Sequence, residues 1–245
     1  MVIAIIQARM GSTRLPGKVL MKVGGRPLLA LQLDRILKSK ELDKVVIATS
    51  TLDKDDVIKF FCSDYGIECY RGSEDDVMSR YYNCAKKYNS DIVVRMTADC
   101  PLIDPEIIDK IVQKFQNDNV DYCGNTVPPE TSKFPDGSDI EVFSMSALER
   151  ANIEIKDTHF REHVTFQFWQ DQSYTSSQYT QDRDWSKYRI TVDYQEDFEV
   201  VKYVFNELKV KNIFGDLDEI INIIDNNQEI KEKNSQYFFG QGWAR

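Results

Sequence analysis

The sequence predicts an α/β fold in which a mostly parallel sheet is covered on both faces by helices. Three observations carry this. Short apolar, β-branched runs alternate with segments of helical period through the first half of the chain. Those runs are nearly continuous rather than alternating, which is the pattern of strands buried on both sides. The chain of 245 residues is 42% hydrophobic and 11% aromatic, ample for a packed core and unlike a disordered or low-complexity segment.

The elements follow in order. Residues 2–7 (Val-Ile-Ala-Ile-Ile-Gln) open the sheet. No basic residue precedes them and no small-residue cleavage site follows, so they read as a buried strand and not a signal peptide. Further strands are expected at 44–49, 67–70, 92–96 and 120–123, and helices at 27–38, 54–65, 75–88 and 105–116. The last of these helices has Asp104 as N-cap and Pro105 at its first position, with Ile107, Ile108, Ile111, Val112 and Phe115 facing inward. Beyond Pro128 the pattern loosens. A turn-rich stretch at 127–130 leads to a strand at 139–143, a helix at 145–152, a helix over 158–169 and a polar alternating segment at 174–181. A strand at 189–192 follows, then a helix carrying Phe198, Val201, Phe205 and Leu208, and one more at 215–226. The aromatic end, 237–243, has glycine hinges; Trp169, Trp185 and Trp243 read as packing or interface residues. With no internal repeat and no linker, residues 1–245 read as a single domain. The stretch of about 130–188 is expected to be an insertion over one sheet edge, serving as a lid or a subunit-contact lobe.

Several function classes fall away. No apolar run approaches the roughly 20 residues of a spanning helix, so a soluble cytoplasmic protein is expected. The five cysteines form no C-x-x-C pair and are odd in number, which predicts reduced, mostly buried thiols and neither disulfides nor structural zinc. His159 and His163 stand at i and i+4, but no Glu follows the first His directly, as it would in a zinc-protease helix. The net charge of −9 argues against a general nucleic-acid binder. Yet residues 1–33 hold no acid and carry Arg9, Arg14, Lys18, Lys22 and Arg26. A confined basic loop on an acidic protein points to a small anionic ligand.

The chemistry gathers behind the first strand, in Ala8-Arg9-Met10-Gly11-Ser12-Thr13-Arg14-Leu15-Pro16-Gly17-Lys18. A strand entering a glycine-containing loop with hydroxyls and cations makes a phosphate cradle: backbone N–H groups supply fixed donors, and Arg and Lys supply charge. It is not a P-loop, since five residues separate Gly11 from Gly17 and Val19 follows Lys18; G-x-G-x-x-G is absent as well. Asp99 and Asp193 each close an apolar stretch read as a strand. Ligands of open parallel sheets bind beyond the carboxyl ends of strands, so both can converge on the basic loop. Two carboxylates beside a polyphosphate form a hard-oxygen set for Mg²⁺. The other reading makes each Asp an N-cap for the next helix. Asp139 and Glu141 alternate on a strand and share a face, either toward metal or sugar or toward solvent.

The first loop resembles the N-terminal signature of the cytidylyltransferases that activate acidic sugars, the acylneuraminate and 3-deoxy-manno-octulosonate enzymes. Within that group it is most like the spore-coat polysaccharide biosynthesis protein F branch. The resemblance continues through Arg71-Gly72-Ser73-Glu74-Asp75-Asp76-Val77, Thr97-Ala98-Asp99-Cys100-Pro101-Leu102-Ile103, Asp139-Ile140-Glu141-Val142, Arg161-Glu162-His163-Val164-Thr165 and Thr191 to Phe198. It implies a three-layer α/β/α sandwich of the nucleotide-diphospho-sugar transferase type, usually a homodimer, that passes CMP from CTP to an acidic or phosphorylated sugar and releases pyrophosphate. It further implies that Arg9 and Lys18 are the catalytic cations on the triphosphate, with Ala8 and the backbone of Met10, Gly11, Ser12 and Thr13 against it. Arg71, Gly72, Ser73 and Asp75 would lie near base and ribose, Asp99 and Asp193 would hold Mg²⁺, and Arg161 and His163 would face the sugar carboxylate. The chain departs from the sialic-acid branch at Ser12-Thr13, where that branch has Ser-Lys. It departs again at Tyr194-Gln195, where Thr-Pro is common. A glycosyltransferase of the same fold would normally carry D-x-D, which Asp139-Ile140-Glu141 imitates only loosely. A non-catalytic nucleotide-binding protein is the other rival.

Overall fold

A computed structural model describes residues 1–241, so Trp243 lies outside the described residues. The strands are β1 (Val2–Gln7), β2 (Lys22–Val23), β3 (Arg26–Pro27), β4 (Lys44–Ser50), β5 (Glu68–Gly72), β6 (Ile92–Thr97), β7 (Tyr122–Gly124), β8 (Glu141–Ser144) and β9 (Ser176–Gln178). The helices are α1 (Leu28–Ile36), α2 (Asp56–Tyr65), α3 (Val77–Lys87), α4 (Pro105–Asp118), α5 (Met145–Glu154), α6 (Thr158–His163), α7 (Phe166–Gln170), α8 (Gln195–Lys211), α9 (Leu217–Asp225) and α10 (Gln228–Glu232). The main sheet runs β5-β4-β1-β6-β8-β7-β9, while β2 and β3 form a small separate hairpin. Pairing is parallel from β5 through β6 and between β7 and β9; β8 is antiparallel to both its neighbours.

The near-continuous apolar strands are explained by burial on both faces. Along β1, Ala4 and Ile6 point into a core shared with α1, α2, α4, α8 and α9. Ile3 and Ile5 point into a second core with α3, α5 and α7. Each such side chain removed from water contributes about 1.5–3 kcal/mol, so a register slip of one residue would gain nothing. Several helix starts are fixed by carboxylates. Asp104 accepts from Glu106 N at the head of α4 (2.9 Å) and from Leu217 N at the head of α9 (2.8 Å), tying two helices together. On α3 the cap is Asp76, which accepts from Ser79 N at 2.9 Å.

Three expectations change. The stretch 130–188 does more than lie over one edge: it threads β8 between β6 and β7 and forms the edge itself with β9, outside β7. The expected helix over 158–169 is two helices, because buried Val164 takes φ +62°, which no helix tolerates, and its burial holds it there. The expected strand at 189–192 makes one isolated bridge, Asp136 to Arg189. Two loops take its backbone groups instead: Ile190 N and Thr191 N donate to Asp136 O (2.7 and 3.1 Å), before β8, and Val192 N to Asp99 O (2.8 Å), after β6. The first approaches so closely that a Cβ on Gly137, at φ +101°, would stand 2.2 Å from Thr191 N. No helix among the described residues is long and apolar enough to cross a membrane. The five cysteines are all free.

Candidate active site

A cavity opens at the carboxyl end of the sheet, on the side of α3, α6 and α7. Gln7, Arg95 and Thr97 form its floor, Val77 and Arg80 one wall, and His163 and Phe166 another, with Asp99, Asp139 and Asp193 at its rim. The position follows from topology, since β1 and β6 are adjacent and parallel and deliver the first loop and Asp99 side by side.

The rim is organised around one ammonium. Lys18 Nζ donates to Asp99 Oδ2 and to Asp193 Oδ1, both at 2.8 Å. Asp193 is also held by Arg14 Nη2 at 2.7 Å and Arg189 Nη2 at 3.2 Å. Arg189 in turn donates Nε to buried Asp197 (2.9 Å) and pairs with Asp136. Neither Asp99 nor Asp193 caps a helix: Asp104 serves α4, and Asp197 accepts from the N–H groups of Asp193 (2.9 Å) and Tyr194 (3.0 Å) at the start of α8. Burial pushes the Asp99 carboxyl up, but the Lys18 charge and hydrogen bonds outweigh it and hold it at about 2. Asp193 is held low in the same contest, and Lys18, though buried, is pushed above its ordinary value by the two carboxylates.

The first loop is pinned at its base and open above. Ala8 N donates to Ala48 O at 3.1 Å, and Met10 N to the fully buried Asp55 carboxylate at 2.7 Å, which also takes the Ser50 hydroxyl. The Met10 N–H is therefore not available to a phosphate. The N–H groups of Arg9, Gly11, Ser12 and Thr13 make no hydrogen bond among the described residues, nor does the Arg9 side chain, which lines the cavity. Ser12 Oγ accepts from Leu15 N at 3.2 Å. Gly17, at φ +72°, turns the chain so that Lys18 enters the site. Gly11 lies under the Lys54–Glu74 ion pair (2.6 Å), where a Cβ would come within 2.9 Å of Lys54 Nζ.

Other expected site residues are placed differently. The Arg71 guanidinium is spent on Ser50 O (2.8 Å), Leu52 O (3.0 Å) and Asp56, at the β4–α2 junction and away from the cavity. Gly72 O accepts from Thr51 N and Ser73 Oγ from Asp76 N, both at 3.0 Å, while Asp75 is exposed. Arg161 joins Asp76 (2.7 and 3.0 Å) to the end of α5 through Asn152 O, Asn152 Oδ1 and Ile155 O, so its donors hold the fold together and are not offered to a ligand. His163 does reach the cavity, stacked on Phe166 at 4.3 Å. Burial and the neighbouring His159 push its pKa down to about 4, leaving it neutral near pH 7. Glu141 lies opposite Arg95 in the β6–β8 register and is paired with it, with Tyr122 Oη donating at 2.8 Å. Asp139 precedes β8, accepts from Thr126 Oγ1 (2.8 Å) and Gly137 N (3.0 Å), and is pushed up to about 6 by burial and by the charges of Glu141 and Asp99.

Arg80, Arg95, Asp136 and Arg189 were not among the expected site residues. Two of them left a signal: Arg95 interrupts a buried strand, and Arg80 stands on the apolar stripe of α3 with Val77, Tyr81 and Cys84.

A family model described as cytidylyltransferase matches residues 3–240. An uncharacterized protein of Methanocaldococcus jannaschii is 37% identical over 237 residues, covering 96% of this chain and 94% of that one. Spore coat polysaccharide biosynthesis protein SpsF of Bacillus subtilis is 32% identical over 214 residues, covering 84% and 87%. The solved structure of a cytidylyltransferase from Leptospira borgpetersenii superposes with a TM-score of 0.87 at 35% identity, covering 94% of this chain and 95% of that one.

Proposed function

The chain belongs to the cytidylyltransferase family and is a nucleotidyltransferase; from that premise we propose that it transfers CMP from CTP to an acidic or phosphorylated sugar, with Mg²⁺ and release of pyrophosphate, for a surface polysaccharide or glycan. The observation that carries the reading is the convergence of Asp99 and Asp193 on a single cation position beside a loop of unused N–H groups and the unpaired Arg9.

The donor set suits Mg²⁺. Asp99 and Asp193 are brought together across Lys18 Nζ, 2.8 Å from an oxygen of each, and both groups stay ionised in the neutral range; an ion held between them would take the place of that ammonium and leave Lys18 to the phosphates. Mg²⁺ takes one or two protein carboxylates and completes its octahedron with water and phosphate oxygens. Among the described residues no group of three or more His, Cys, Asp or Glu could hold a metal ion, so the protein side of this site is Asp99 and Asp193 alone. When bound there, Mg²⁺ neutralises charge on the phosphates. The chain's own residues do the rest. Arg9 and the open N–H groups of Gly11 to Thr13 hold the triphosphate, Lys18 adds charge beside the α-phosphate, and Arg189 and Asp197 fix Asp193 in place. The acceptor oxygen attacks the α-phosphorus in line and the bond to pyrophosphate breaks, so positioning and charge stabilisation supply most of the acceleration.

The deciding experiment is a pyrophosphate-release screen of CTP, UTP, ATP and GTP, with Mg²⁺, against acidic and phosphorylated sugars. Release is expected with CTP and one acceptor class. Equal or faster release with another base refutes the cytidylyl assignment.

A further inference from the structure

Among the described residues, each arginine with a buried guanidinium has either a carboxylate partner or a full set of backbone acceptors, with one exception. Arg95 is paired with Glu141, and Arg189 with Asp136, Asp193 and Asp197. Arg35 has no carboxylate partner, but its Nε, Nη1 and Nη2 donate to Ile103 O (2.6 Å), Phe214 O (2.9 Å) and Gly215 O (2.7 Å). Arg80 is only 2% exposed, and the sole hydrogen bond of its side chain among the described residues runs from Nη1 to Ser73 O (2.6 Å). Its Nε is buried without a partner, as is that of Arg95, but Arg95 has Glu141 to balance its charge and Arg80 has no carboxylate partner among the described residues.

The acids nearest to Arg80 are engaged elsewhere, Asp55 by Met10 N and Ser50, Glu74 by Lys54. What faces it is a second cation: Arg80 and Arg9 line the same cavity, and Arg9 has no hydrogen-bond or ion-pair partner among the described residues. Burial, with the charge of Arg9, pushes the Arg80 pKa down. The arrangement is built: Gly72 leaves room for the Arg80 stem, since a Cβ there would stand 3.0 Å from Arg80 Cγ. A buried charge without a counter-ion is costly, and a guanidinium fork with unused donors matches the oxygens of a carboxylate or phosphate.

We propose that Arg80, together with Arg9, forms an anion subsite in this cavity that binds a phosphoryl or carboxylate group of a substrate. The inference rests on the reading above only in taking the cavity as the place where substrates bind.

The test compares wild type with Arg80→Met and Arg80→Lys by thermal unfolding and by calorimetry, using pyrophosphate, CTP with Mg²⁺, cytidine, N-acetylneuraminate and glucose 1-phosphate. Without ligand, Arg80→Met should unfold at or above the wild-type temperature, because a buried unpaired charge has been removed. It should bind the anion at least tenfold more weakly, with Arg80→Lys, which keeps charge but not the fork, in between. Loss with CTP and pyrophosphate but not cytidine places a phosphate of the nucleotide at Arg80. Loss confined to the sugar anions places the acceptor there. Unchanged affinity for every probe overturns the proposal, whether or not stability falls. The two readings fail separately. CTP binding no better than ATP, with pyrophosphate still lost in Arg80→Met, removes the base assignment and leaves the subsite. A clear CTP preference with wild-type binding in Arg80→Met does the reverse.

Discussion

Replacing Lys18 by Met keeps the length of the side chain and removes the charge that balances the rim of the site. Lys18 is 8% exposed and, among the described residues, is the only side chain bonded to both the Asp99 and the Asp193 carboxylates. Removing one partner of a buried ion pair costs about 3–5 kcal/mol. Here the loss should fall near the low end, about 3 kcal/mol, because Asp193 keeps Arg14 and Arg189 and the Asp99 side chain is 27% open to solvent. The pH dependence gives the cause. The Asp99 carboxyl is held at about 2 in the folded protein, below its unfolded value near 4. A depressed carboxyl stabilises the fold above the unfolded value, and that contribution, about 2.5 kcal/mol, is lost as pH falls through the folded value. In Lys18→Met, Asp99 and Asp193 face one another without the ammonium, so this contribution disappears. Urea unfolding followed by circular dichroism should show the variant about 3 kcal/mol less stable at pH 7. At pH 3 the gap should be smaller by about 1 kcal/mol. Turnover should fall about 100- to 1,000-fold, the scale of one charged donor in a dry site. An equal stability gap at both pH values would show that Lys18 acts through packing, and the charge-balance argument would fail.

Asp99→Asn and Asp193→Asn preserve shape and, since neither residue caps a helix, keep the helix starts, but each leaves Lys18 one carboxylate short and should lower stability by about 1–3 kcal/mol; turnover of the folded protein should fall at least about 100-fold with partial rescue at raised Mg²⁺ or Mn²⁺, and a fully active double variant with unchanged metal dependence would remove the metal site. Arg161→Met should lower stability by about 2–4 kcal/mol by unpairing Asp76 and the α5 carbonyls, while KM for the acceptor in the surviving folded protein stays at the wild-type value; a raised KM without loss of stability would return Arg161 to the binding site.

The sequence by itself determined the layered α/β fold, because its evidence is local and periodic. Near-continuous apolar runs at β1, β4 and β6 read as strands covered on both faces, and Asp104-Pro105 before the stripe of Ile107, Ile108 and Ile111 reads as the start of an inward-facing helix. It also determined where charge would gather, since residues 1–33 carry cations without acids. Tertiary structure decided which polar groups are spent and which remain. Arg71 and Arg161 sit in suggestive motifs, yet both guanidiniums are consumed by backbone oxygens and a neighbouring Asp. Arg80 sits on an ordinary helix stripe and keeps unused donors inside the cavity. The segment at 189–192 has strand-like composition, but a loop turning at Gly137 and the loop after β6 take its hydrogen bonds, so Asp193 reaches Lys18 from an extended segment and not from a sheet. A side chain's partners come from residues tens to hundreds of positions away, as with Lys18 and Asp193, and hydrophobic period holds no record of them.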